Sequence, residues 1–144
     1  MRVELVREQP AIALLGRPLR IPTAAAGVLC PLLAREARET MLALLLDARA
    51  RPNAIHRVSI GGMEHRPCEP REAFQAGILA DAAALILAHN HPSGDTTPSM
   101  DDLIVTLRMA RAGALLGIPL RDHLVVSTAG WTSPRGATPN CGRR

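Results

Sequence analysis

The stretch ALILAHNHPSGDTTPSMDD, residues 84–102, holds three pieces of local structure in a row. ALILA (84–88) is a short, continuously apolar run, which reads as a buried strand. The Pro- and Gly-containing run HNHPSGDTTP that follows reads as a loop. Ser99 can then cap a long helix, with Asp102 three residues on as in a capping box. That helix is expected to bury a stripe of Leu103, Ile104, Leu107, Ala110, Ala114 and Leu115 and to end at Gly117.

Working outward, TMLALLLD (40–47) is nearly all apolar and suits a strand covered on both faces. AIHRVSI (54–60) alternates well enough to pair with it as a hairpin across the polar turn ARARPN, and Gly61 and Gly62 end it. Thr23 is expected to cap a helix through AAAGVLCPLLAREARE, weakened by Gly27 and Pro31. Pro70 suits a first helical turn, followed by Phe74, Ile78 and Leu79 at helical spacing. HLVVS (123–127) is read as the last strand. Helices interleaved with strands that include a hairpin make this an α/β domain of the α+β type. The expected limits are a preamble over 1–22, the domain over 23–131 and a disordered tail over 132–144.

Composition narrows the function classes. The formal charge of +4 comes from Arg alone, because the chain has no Lys, and these Arg residues are dispersed from Arg2 to Arg144. That permits weak, sequence-independent contact with nucleic acid through counterion release, but it is not a localised footprint. Phe74 and Trp131 are the only aromatics, too few for base-stacking on single strands. Cys30, Cys68 and Cys141 form neither an even set nor a C-x-x-C pair, which argues against a disulfide framework and for a reducing, cytoplasmic setting. No run approaches the ~18 apolar residues of a membrane span, so no membrane partner is expected.

Chemistry concentrates in the loop. Residues two apart in an extended chain share a face, so His89 and His91 point the same way while Asn90 turns aside. Asp102, in the first turn of the helix, can fold back to make two imidazoles and a carboxylate, the ligand set of a zinc site with an open position. Taken alone, Asp102 reads first as a helix-capping residue, and Asp95 and Asp101 are competing carboxylates that spacing alone does not exclude. Glu39, by itself, reads as a surface charge ahead of a buried strand.

Taken together, Glu39 upstream, His89-x-His91-Pro92, Ser99 and Asp102 resemble the JAMM (MPN+) metalloprotease motif. The segments ARETMLALLLD, EPREAFQAGILADAAALILAHNHPSGDTTPS and LLGIPLRDHLVVS are similar to the RadC-like branch of that JAB/JAMM family, covering roughly residues 35–128. The resemblance implies a cytidine-deaminase-like fold, a curved and mostly antiparallel sheet flanked by helices. It implies one zinc ion per chain on His89, His91 and Asp102, with Glu39 hydrogen-bonding the zinc water and Ser99 stabilising an oxyanion. The function it implies is hydrolysis of peptide or isopeptide bonds in a peptide or protein-tail substrate. The alternative is a DNA-repair-associated accessory protein of the RadC-like branch without hydrolysis.

Departures from the family are local. A 22-residue preamble is too short for the helix-hairpin-helix region that full-length RadC-like proteins usually carry, Met41 stands where an aromatic is common, and GWTSPRG matches the closing segment only loosely. Asp122-His123 follows the family wording, and an adjacent His of this kind reads first as a structural hydrogen-bond partner. His56 and His65 are given no role.

Overall fold

The computed structural model describes residues 18–60 and 68–133. A helix α1 (Pro22–Leu33) leads into strand β1 (Thr40–Leu46), which turns into β2 (Pro52–Ile60). Helix α2 (Pro70–Leu79), strand β3 (Ala84–Asn90), helix α3 (Met100–Leu116) and strands β4 (Leu120–Ser127) and β5 (Gly130–Thr132) follow. The strands form one open sheet in the order β2-β1-β3-β4-β5. All neighbours are antiparallel except β3 and β4, which run parallel because α3 crosses over between them. This is the helix-flanked, mostly antiparallel sheet that the sequence leads one to expect.

Every residue of β1 and of β3 is buried, which explains their apolar runs MLALLL and ALILA. Alternate side chains feed two cores. Leu42, Leu44, Leu46, Ile86 and Ala88 pack beneath α1 with Leu29 and Leu33. Met41, Ala43, Leu45, Leu85 and Leu87 face Phe74 of α2 and Val105 and Met109 of α3. Leu19 also lies in the first core, where its amide donates to the Ala50 carbonyl at 2.7 Å.

Several local expectations need correction. Helix α1 starts two residues earlier, with Ile21 as its N-cap and Pro22 at N1, so Thr23 caps nothing. It stops at Leu33 rather than running through Glu39, which leaves the chain extended to enter β1. In α3 the buried positions are Asp102, Val105, Thr106, Met109 and Gly113, whereas Leu103, Ile104, Leu107 and Leu115 are exposed. The expected stripe was therefore on the wrong face: the inner face carries polar groups because it adjoins the site. It carries Gly113 because a Cβ there would sit 2.5 Å from the Ile118 carbonyl oxygen and 3.2 Å from the Phe74 ring. In α2, Phe74 is buried with Ala73, Ala76 and Gly77, but Ile78 and Leu79 are exposed.

HLVVS is not the last strand. β5, around Trp131, adds an edge to the sheet by pairing with β4. Too short to carry a periodicity signal, it is defined by its backbone pairing. The expected disordered tail, apart from Thr132 and Ser133, and most of the preamble lie outside the described residues, as do His65 and Cys141. Among the described residues no helix is long and apolar enough to cross a membrane.

Candidate metal centre

His89 is the penultimate residue of β3, and His91 follows the strand, its amide still donating to the Val126 carbonyl of β4 at 2.8 Å. The chain therefore stays extended past His91, and both imidazoles fall on the α3 side of the sheet. Their Nε2 atoms lie 3.1 Å apart. Asp102 closes the group, with Oδ1 at 3.1 Å from His89 Nε2 and Oδ2 at 3.1 Å from His91 Nε2.

The loop between is folded by its own chemistry. The Gly94 amide donates to the His91 carbonyl at 3.0 Å with φ of 90°, a backbone angle that favours glycine. Asp95 accepts from the Thr97 amide at 2.9 Å, and hydrogen bonding from the Thr97 side chain, with this amide second, holds its pKa below the usual carboxylate range. Thr132 of β5 donates to the Thr96 carbonyl at 2.6 Å and pins the loop from the sheet edge. Ser99 then caps α3: its Oγ accepts from the Asp102 amide at 3.0 Å, and its own amide donates to Asp102 Oδ2 at 2.8 Å. The two readings of Asp102 are thus compatible, since the capping-box bond orients the same carboxylate that meets both histidines.

Glu39 arrives from the other direction. Met41 pairs with His89 in the antiparallel β1–β3 register, so the residue just before β1 is brought to the end of β3. A carboxylate oxygen of Glu39 and one ring nitrogen each of His89 and His91 lie within 4.8 Å of one another. Asn90, on the opposite face, holds this entry in place. Its Oδ1 accepts from the Thr40 amide at 2.6 Å, and its Nδ2 donates to the Glu36 and Arg38 carbonyls, both at 3.0 Å. Sequence spacing predicted that Asn90 turns away but not that it clamps the segment bearing Glu39; the signal was a buried-strand Asn, which demands partners.

Electrostatics agree with a cation-binding group. Burial pushes the Asp102 carboxyl up, but hydrogen bonds from His89 and His91 outweigh it and hold the group well below the ordinary carboxylate range. The Asp102 carboxylate raises the His91 imidazole above its usual value, against the opposing effect of burial. His91 Nδ1 faces the Asp95 carbonyl at 2.7 Å, and a carbonyl can only accept, so Nδ1 carries a proton and Nε2 is the nitrogen left for a metal ion, which would take the place of the proton shared with Asp102. Two imidazole nitrogens and a carboxylate converging within 3.1 Å of one another fit the nitrogen and oxygen donor preference of zinc.

A RadC-like JAB domain model matches residues 19–138. The chain belongs to the RadC-like JAB domain family. Relatives include the UPF0758 protein of Moorella thermoacetica, 40% identical over 91% of this chain and 57% of that protein. The UPF0758 protein of Desulforamulus reducens is 39% identical over 80% of this chain and 51% of its own length. That of Symbiobacterium thermophilum is 42% identical over 79% and 49%. The RadC-like JAB domain described here thus spans about half the length of the curated relatives it matches.

Of the remaining expectations for this RadC-like JAB domain, Asp101 is exposed, and Asp95 offers the site its backbone carbonyl rather than its carboxylate. Asp122 accepts from the His123 amide at 2.8 Å and from the Ser133 hydroxyl. The His123 ring points the other way and reaches His89 Nδ1 at 2.7 Å. Burial, reinforced by the charge of His89, lowers its pKa to about 3. His56 is buried in β2.

Proposed function

We propose that this domain is a zinc-dependent hydrolase that cleaves peptide or isopeptide bonds, with one zinc ion held by His89, His91 and Asp102. The observation that carries the reading is the convergence of both Nε2 atoms and both Asp102 oxygens at 3.1 Å, with the Glu39 carboxylate alongside. When bound, zinc supplies Lewis acidity to a water and to an amide carbonyl. Glu39 takes the proton from the water and returns it to the leaving amine. The Ser99 oxygen already accepts the Asp102 amide, which leaves its hydroxyl proton to donate to the carbonyl oxygen as that atom becomes negative. The N-terminus of α3 adds its partial positive charge at the same place.

The substrate proposed is a peptide or protein tail entering beside His91, and the setting is the reducing cytoplasm, consistent with free Cys30 and Cys68. The test combines zinc content with cleavage of linear peptides and isopeptide-linked tails. About one zinc per chain is expected, together with cleavage that chelation abolishes and zinc restores. A fully loaded protein that cleaves neither substrate class would overturn the hydrolase reading. Nucleic acid is proposed only as a weak, non-specific partner, so duplex binding should collapse between low and physiological salt. Sequence-selective binding that survives such salt would contradict this.

A further inference from the structure

Deep in the core, α3, β4 and β3 are joined by a chain of polar groups that an aliphatic interior would otherwise exclude. Thr106 Oγ1 lies 2.7 Å from the Asp102 backbone carbonyl and 2.6 Å from His123 Nδ1. His123 Nε2 lies 2.7 Å from His89 Nδ1. His89 and His123 are completely buried, and Thr106 nearly so. Burying an imidazole where a leucine would pack costs desolvation, which only good hydrogen bonds offset.

The proton positions along this chain follow from the chemistry of its ends. The Asp102 carbonyl can only accept, so the single hydroxyl proton of Thr106 is spent on it. The Thr106 oxygen must then accept from His123, which places a proton on His123 Nδ1. A ring so buried, with no carboxylate at either nitrogen, is neutral, so its Nε2 is bare and accepts from His89 Nδ1. That leaves His89 Nε2 as the nitrogen facing His91 and Asp102, where a metal ion would take the place of the proton it otherwise shares with the Asp102 carboxylate. The backbone carbonyl of Asp102 therefore sets the tautomer of a histidine that its own side chain meets.

We propose that Thr106 and His123 are positioning residues that hold His89 with its proton on Nδ1, so that Nε2 presents a lone pair to a metal ion. This rests on the metal-site reading above. Metal-ligating histidines are generally oriented through their second ring nitrogen, and disturbing such partners typically weakens metal binding by ~10- to 100-fold. A reversed chain, with a proton on His123 Nε2, would make His89 Nδ1 the acceptor and put a proton where the metal should be.

The test uses imidazole ¹⁵N NMR of the full chain together with zinc affinity measured by chelator competition. In the wild type, His123 should show a protonated Nδ1 and a bare Nε2 before any zinc is added. Thr106→Val, close to isosteric, removes the acceptor; it should shift His123 away from that tautomer and weaken zinc binding by roughly 10- to 100-fold, while Thr106→Ser restores both. A wild-type His123 protonated on Nε2 would overturn the proposal, as would a folded Thr106→Val with unchanged zinc affinity. Should Thr106→Val fail to fold, the wild-type tautomer still decides. If the wild type binds no zinc, the metal-site reading fails, and the NMR result separately decides the hydrogen-bond order.

Discussion

Replacing Glu39 with glutamine is expected to leave the protein folded and zinc-loaded while cleavage falls by ~10² to 10⁴, the usual range for loss of a general base. Glu39 shares its surroundings with His89 and His91 closely enough to be considered a third ligand. The distances favour Asp102 for that place: its two oxygens each reach a histidine Nε2 at 3.1 Å, and the Ser99 amide fixes it at 2.8 Å. Glu39 is only partly buried, ahead of β1 at the mouth of the group, where it can exchange protons with water. Gln preserves the length and hydrogen-bonding reach of the side chain but cannot take a proton. Zinc content, thermal stability and turnover are measured together. Loss of zinc from Glu39→Gln would make Glu39 a ligand, and a loaded, fully active variant would remove it from the mechanism.

Asp102→Ala is expected to lose most of its zinc, whereas Asp95→Ala keeps it, because Asp95 serves the site through a backbone carbonyl that alanine retains. Deleting the Asp102 carboxylate also orphans the Ser99 amide, and the broken cap costs ~1 kcal/mol irrespective of metal. Asp102→Asn separates the two effects, since it can still accept from Ser99 but carries no charge. The measurement is metal content together with melting temperature with and without added zinc. At zinc 100-fold above its Kd, the wild type should gain about 2.7 kcal/mol of stability, a gain the Asp102 variants lack. Full zinc in Asp102→Ala but loss in Asp95→Ala would assign the wrong carboxylate here.

Much of the framework was legible because its signals are local. β1 and β3 are covered on both faces, so their apolar runs could hardly be anything but central strands. His89 and His91 share a face through the two-residue period of an extended chain, and Ser99 and Asp102 meet through the geometry of one helical turn. Illegible locally was the inner face of α3. Counting apolar residues chose Leu103, Ile104 and Leu107, but the helix turns inward the face bearing Asp102 and Thr106, because those groups find partners on β3 and β4.

By itself, then, the sequence determined the identity of β1 to β4, the pairing of two histidines and the helix start that carries Asp102, since each depends on neighbours within one turn or one strand. Only the tertiary structure decided which distant groups join them. The β1–β3 register carries Glu39 across from the far side of fifty residues of chain, with Asn90 bonding the Thr40 amide over that separation. The parallel β3–β4 pairing sets His123 behind His89, and β5 pins the loop through Thr132. Such contacts have no sequence period. They exist because every buried polar group must find a partner, and which partner is within reach is settled only when the sheet closes around it.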